Sequence, residues 1–519
     1  MNGKALLLAA ASVSGAALLA AGCSGPADSG AAAPSAAPSA AAAPPVDADG
    51  ALNLRLVGHD DLQARSAYQP IVHAYGSRRI LFVGHHAGEA MNPLTGKVEK
   101  NGLSILDVTD PAAPKYLAHL PPTGPAASGT QHVQVCDGSA LPRGDASKVY
   151  AIRTNGQLSY ELLDVTDPAH PSFVSTIAET GVSSRPESER GDRETHKFQW
   201  DCATGIAYLN GTAPGWRVTR VLQAFDLGDP AAPRHIRDFG LVGYEPGGAP
   251  YPEPQVAGLH QPFAVGRRLY LGYNSGDDGV LQIVDRDKFL LGRAPADARP
   301  VEQPEIAAQP VQPTPDSLLF PQIARLDFPR YYGVHTAKPI LGFDVPDYAD
   351  NRDARTRDLL LVSSEEETFR CQTNRDVMFI LDITDERHPL PIATFQVPEE
   401  PGDFCHRGGR FGPHSFADAY HPAFDKKLVV LAYFNAGVRV VDIRNPFVPV
   451  EVARFIPAIT ANTTESCIEI DGARECKRAI QTNNVNLDDR GYIYALDRAS
   501  TGLHILELTG AARAIAFEK

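Results

Sequence analysis

The apolar residues of this chain fall in short runs rather than at the three-and-four spacing of amphipathic helices, and the runs recur. The most legible run ends in an aspartate and a proline-bearing turn. Gly102 to Pro114 reads Gly-Leu-Ser-Ile-Leu-Asp-Val-Thr-Asp-Pro-Ala-Ala-Pro, and Leu162 to Pro171, Ala224 to Pro233, Ile380 to Pro389 and Val440 to Pro449 repeat it. An unbroken apolar run of this length predicts a strand covered on both faces. The turn ends it, because proline offers no amide and aspartate can bond its own downstream backbone. Ahead of these runs stand others: Ile80 to Val83, Leu269 to Gly272, Leu428 to Leu431 and Ile493 to Leu496. A further strand follows the second proline, as at Lys115 to Leu120 and Val450 to Phe455.

Units repeated at this period predict a propeller, in which each blade hides its apolar faces against its neighbours and the first strand of each blade lines the axis. The expected fold is all-β, a propeller of seven four-stranded blades, with six or eight left open. The last copy, His504 to Leu508, is truncated, and Leu52 to Val57 looks like a fourth strand lacking its first three. Joining the two in one blade would close the ring and remove a free edge. The copy Leu281 to Arg286 lacks the Asp-Pro turn, and the Pro- and Gln-rich stretch 294–329 is expected to be an external loop. These strings resemble the LVIVD repeat family of bacterial β-propellers from about Leu52 to Leu508. The resemblance implies an exported propeller and names no activity.

The start of the chain differs from the rest. Lys4 precedes an apolar run, Ala5 to Ala21, too short to span a bilayer and ending in Gly22-Cys23-Ser24. Leu18 to Cys23 resembles a bacterial lipoprotein signal, which makes residues 1–22 a signal peptide and Cys23 the lipidated terminus. Residues 23–50 are nearly all Ala, Pro, Ser, Gly and Asp and predict a tether, leaving 51–519 as the folded body. The expected location is the periplasmic face of the outer membrane or the cell surface, with the membrane reached through Cys23. Formal net charge is −14 with no basic cluster, so nucleic acid is a poor partner. A small molecule or a protein at a propeller mouth is the expected ligand. Beyond Cys23 the even cysteine count of an exported chain points to disulfides. Cys467 with Cys476 reads as a clip across one loop, Cys136 and Cys202 sit in adjacent blades, and Cys371 with Cys405 would pin two loops over one mouth.

The chemistry is carried by histidine. His73, His132, His196, His260, His335 and His414 each stand near the start of a first strand, and Asn484 takes the seventh place. Imidazoles gathered on one axis without thiolates suit copper, iron or zinc. Glu365 or Glu366 beside His335 would complete or orient such a set, and His85 and Arg153 lie beyond second strands as pocket candidates. His85 and His86 are adjacent on a strand end, so at most one can share a site. Three readings follow: a binding propeller with an axial transition metal, a copper- or iron-dependent oxidoreductase using that centre, and a scaffold or adhesion propeller whose histidines are structural. Several imidazoles near Arg153 or Arg439 would also suit an anion.

Overall fold

The computed structural model describes residues 50–123, 129–156, 159–179, 195–248, 256, 258–295, 303–345 and 355–518. The signal peptide, Cys23 and the tether up to residue 49 lie outside the described residues. Seven antiparallel blades form a β-propeller. Blade 1 runs Ala67–Tyr75, Arg78–His85, Leu103–Asp107 and Lys115–Leu120, and blade 2 runs Val133–Asp137, Val149–Asn155, Ser159–Asp164 and Ser172–Glu179. Blade 3 comprises Gln199–Asp201, Ile206–Gly211, Val221–Asp226 and Arg234–Phe239; blade 4 comprises Leu259–Val265, Arg268–Tyr273, Val280–Asp285 and Gln322–Asp327. Blade 5 is Thr336–Asp344, Thr356–Ser363, Met378–Asp382 and Leu390–Phe395. In blade 6 the inner strand shrinks to a short segment bridging Phe416 to Leu431, followed by Leu428–Ala432, Val438–Asp442 and Val450–Phe455. Blade 7 is Thr482–Leu487, Ile493–Asp497 and Gly502–Leu508, completed on its outer edge by Leu54–Asp60.

The apolar runs are continuous because alternate residues face opposite neighbours. Ile80 and Phe82 pack with Val133, Ala151 and Leu163 of blade 2, while Leu81 and Val83 pack with Tyr494, Leu496 and Ile505 of blade 7. The aspartate closing each third strand accepts a hydrogen bond two residues on: Asp107 from Thr109 N (2.9 Å), Asp164 from Thr166 N (3.0 Å), Asp382 from Thr384 N (2.9 Å). The next acidic residue repeats the device, as Asp110 does with Ala112 N (3.0 Å). Blade 4 spends its aspartate differently. Asp285 caps a helix, Arg286–Leu291, by accepting from Asp287 N and Lys288 N, which accounts for the missing Asp-Pro turn. The stretch expected to be a loop, 294–329, holds a second short helix, Pro315–Leu319, and the outer strand of blade 4, Gln322–Asp327.

All three expected cysteine pairs are disulfides: Cys136–Cys202, Cys371–Cys405 and Cys467–Cys476. The first joins blades 2 and 3, and the last crosses the hairpin formed by Glu465–Ile470 and Ala473–Arg478. Among the described residues no helix is long and apolar enough to cross a membrane.

Candidate metal centre

Strand register decides which residues meet on the axis. In blade 4, Leu259 pairs with Tyr273 and Pro262 with Leu271, so a one-residue bulge holds His260 and Gln261. Blade 1 has the same pattern, Ala67 opposite His85 and Pro70 opposite Val83, which places Tyr68 where blade 4 has His260. The equivalent positions in blades 3, 5 and 6 are His196, His335 and His414. In blade 7 the bulge lies between Thr482 and Asn484, so Asn483 takes the place expected of Asn484. In blade 2, Val133 pairs with Arg153, which puts Gln131 in this tier and His132 one step deeper.

The upper tier is therefore Tyr68, Gln131, four histidines and Asn483. The four imidazoles succeed one another: ring centroids are 4.7 Å apart for His196 and His260, 3.6 Å for His260 and His335, and 4.5 Å for His335 and His414. His196 Nε2 lies 2.9 Å from His260 Nε2. Glu365 reaches in from the end of the second strand of blade 5, its carboxylate oxygens 3.6 Å from His335 Nε2 and 3.6 Å from His414 Nε2. Ligand atoms of His260, His335 and Glu365 lie within 4.8 Å of one another.

The far side of three of the four rings is held. His196 Nδ1 donates to Gln131 Oε1 (2.6 Å) and His414 Nδ1 to the Asn483 carbonyl, while His335 Nδ1 shares a hydrogen bond with the Thr336 hydroxyl (2.7 Å). The Gln131 amide oxygen and the Asn483 carbonyl can only accept, which fixes the tautomers of His196 and His414 and leaves each Nε2 with its lone pair turned toward the cluster. His335 Nε2 and His260 Nδ1 are buried without a hydrogen-bond partner. Burial is the first cause holding all four imidazoles well below the ordinary histidine range, with like charges, among them Arg220, Arg410 and Lys197, adding to it. They are neutral, as metal ligands must be.

Below this tier a polar layer fills the axis. The Lys197 ammonium, pushed down to about 8 by burial, lies 2.9 Å from the side-chain amide of Asn484 and donates to Gln69. Asp418 accepts from Gln69 Nε2 (3.1 Å) and Gln261 Nε2 (3.2 Å). These groups floor the site, with the Gln261 amide oxygen left without a hydrogen-bond partner. On the other side stand Arg410, whose guanidinium is 2.8 Å from Glu365, Arg498 at 3.9 Å, and His86, packed edge-on to Tyr68 at 4.8 Å.

Several expected site residues lie elsewhere. His73 is five residues farther along its strand than Tyr68, about 16 Å at strand rise, and bonds Asp137 (3.0 Å) near the surface. His132 is buried against Phe198, whose N–H its Nδ1 accepts (3.2 Å), outside the ring of four. His85 turns into its blade and bonds Ser104 Oγ (2.9 Å), so His86 is the member of that pair near the axis. Glu366 accepts from Thr368 N (2.7 Å) and Thr368 Oγ1 (2.6 Å) and does not reach the imidazoles. Asn484 belongs to the lower layer. Arg439 is buried inside blade 6, donating to Glu451 (2.9 Å).

Arg153 is also structural. It forms a buried ion pair with Glu161 (2.8 Å), both side chains under a tenth exposed. Replacing Glu161 by Gln should destabilise the fold by about 3 kcal/mol, since it strands a buried guanidinium. Urea denaturation checks this; an unchanged midpoint would show the pair to be dispensable.

No protein-family model matches the chain, and no curated protein does. Among solved structures it is similar to a candidate 6-phosphogluconolactonase from Bacteroides fragilis. The TM-score is 0.36 and the identity 10%, over 79% of this chain and 97% of that one, a distant likeness on which no argument rests.

Proposed function

We propose that this chain is an exported, lipid-anchored propeller of the LVIVD-repeat type that binds a transition-metal ion through His196, His260, His335 and His414, with Glu365 as a fifth or supporting ligand. The observation that carries the reading is the hydrogen bonding of the rings. Three of the four imidazoles are gripped at Nδ1 by an oxygen, which is how metal-ligating histidines are oriented. The 2.9 Å between His196 and His260 Nε2 is the spacing of two nitrogens each about 2.05 Å from one ion at roughly a right angle. In the metal-free protein the Tyr68 hydroxyl (3.0 Å) and the His260 ring compete for the one lone pair of His196 Nε2. An ion would take the lone pairs of both rings. All-imidazole and carboxylate donors suit copper, iron or zinc.

With a coordination position left open, the same centre would serve a metal-dependent oxidoreductase. A second reading has its own support: Arg410 and Arg498 flank Glu365, so a small anion held by the imidazoles is an alternative ligand. It predicts anion affinity that rises as pH falls. Three disulfides agree with an oxidising, exported setting.

The test is elemental analysis of the purified body, from residue 50 onward, beside a His196→Ala/His260→Ala/His335→Ala variant. About one equivalent of copper, iron or zinc in the wild type, lost in a variant with unchanged near-ultraviolet circular dichroism, is the expected result. No metal after reconstitution with each of the three ions would sink the reading. That outcome leaves a structural ring on a scaffold or adhesion propeller.

A further inference from the structure

Beside Glu365 and outside the ring of histidines there is a cavity of about 290 Å3 walled by Asp277, Arg330, Tyr331, Glu365, Glu367 and Asp376. Four of these six side chains are carboxylic acids and one is a cation. Glu365 already has Arg410 at 2.8 Å and Arg330 acts on Asp277, so the unbalanced acidity belongs to Glu367 and Asp376. Asp376 is 3% exposed, and one of its carboxyl oxygens has no hydrogen-bond partner. A buried acceptor left unsatisfied costs about 1–3 kcal/mol, more if charged, so such groups usually mark a ligand or a trapped proton.

The shape of the acid cluster tells which cation fits. Metal ligands converge on a point, and among the described residues the converging groups of ligand atoms lie elsewhere, with only Glu365 shared. The cavity's own carboxyls are spread along its wall. That suits a cation with several N–H donors on a body of a few heavy atoms, not a bare ion. The neighbouring threonine hydroxyls are already committed to Glu366, so they do not satisfy Asp376.

We propose that this cavity binds a small organic ammonium ion, a primary amine or short diamine, with its N–H groups donating to Asp376 and Glu367. Because it lies against Glu365, a ligand seated there stands beside the axial cluster. The proposal does not depend on a metal being bound. The experiment is calorimetric titration of metal-free protein with 1,4-diaminobutane, with 1,4-butanediol as the neutral counterpart. The expected result is one saturable site for the diamine, none for the diol, and affinity weakened about tenfold or more in both Asp376→Asn and Glu367→Gln. Thermal melts establish that the variants fold, and Asp376→Asn, which keeps the shape and removes an unpaired acid, should melt no lower than wild type. A His260→Ala/His335→Ala variant should bind the diamine as wild type does, which separates this site from the metal reading. Equal binding of diamine and diol, no saturation by about 10 mM, or two folded variants that bind normally would overturn the proposal. Calcium displacing the diamine at equal concentration would overturn it too, in favour of an inorganic cation.

Discussion

Metal-free protein should lose stability steeply as the pH falls from about 6.5 to about 5. Nine imidazoles, those of His85, His86, His119, His132, His196, His260, His335, His414 and His504, are held well below the ordinary range, with burial the first cause in each. In the unfolded chain each takes up a proton near pH 6.5, and in the fold it does not. Unfolding therefore binds protons in this window. The stability is fully present above about 6.5 and is lost as the pH falls toward the depressed folded values. Three carboxyl groups act strongly in the opposite sense, and Asp60, Asp277 and Glu366, also raised by burial, act by smaller shifts. Asp376 at about 9, Glu367 at about 7 and Asp497 at about 6 keep protons in the fold that the unfolded chain releases. Nine against three leaves a net uptake of at most about six protons, and each is worth about 1.4 kcal/mol per pH unit. A slope of several kcal/mol per unit is large beside the 5–15 kcal/mol that holds a typical domain together. Urea midpoints measured from about pH 8 to pH 5 give the slope directly. A flat profile would mean that the axial imidazoles are solvated or charged in the fold, and the metal proposal would lose its footing with them.

The same groups show what a sequence can and cannot disclose. The blades were readable because each carries its stop signal with it. Asp107, Asp164 and Asp382 cap their turns through their own side chains, a local device that leaves a local string. Where the string breaks, at Asp285, the structure breaks the rule too and builds a helix. The closing strand was legible for a similar reason: a truncated last copy and an orphan first strand complement each other. The axial site was readable in kind but not in phase. Hairpins between first and second strands vary in length, and one-residue bulges shift which residue faces the axis. Spacing therefore put His73 in the ring, where register puts Tyr68. One signal was present: Tyr68-Gln69-Pro70 repeats His260-Gln261-Pro262 at the bulge. The adjacent pair Gln131-His132 held the same ambiguity, and register resolves it in favour of Gln131. Arg410, Arg498 and the wall of the acidic cavity arrive from loops of different blades, and nothing in local pattern brings such residues together. Asp376 lies five residues beyond Cys371, in one of the two loops that the sequence marked only by its cysteine.

Removing the closing strand should be as damaging as acid. Leu54–Asp60 completes blade 7 by pairing with Gly502–Leu508, and the preceding Ala51–Leu52 pairs with Val450–Phe455 of blade 6. One short segment thus edges two blades. It also touches a third: a bulge between Leu56 and Gly58 presses Gly58 against Pro111 in the turn of blade 1, where an added Cβ would come within 1.9 Å of the carbonyl. Leu54 is buried in the cluster that joins blades 6 and 7. A chain beginning at Asp61 loses a seven-residue strand of ladder bonds and exposes the edge Gly502–Leu508 along its whole length. At about 1 kcal/mol net per hydrogen bond, with the buried Leu54 added, the loss is about 5 kcal/mol or more. The open edge is also a template for association. Three truncations separate the contributions. A chain starting at Gly50 should keep the full urea midpoint. One starting at Asn53 should lose a small part of it, since only the blade 6 pairing goes. One starting at Asp61 should unfold at far lower urea or be recovered as aggregate. A midpoint for the last equal to that of the first would show that the ring holds without its outer strand, and that inter-blade packing alone closes it.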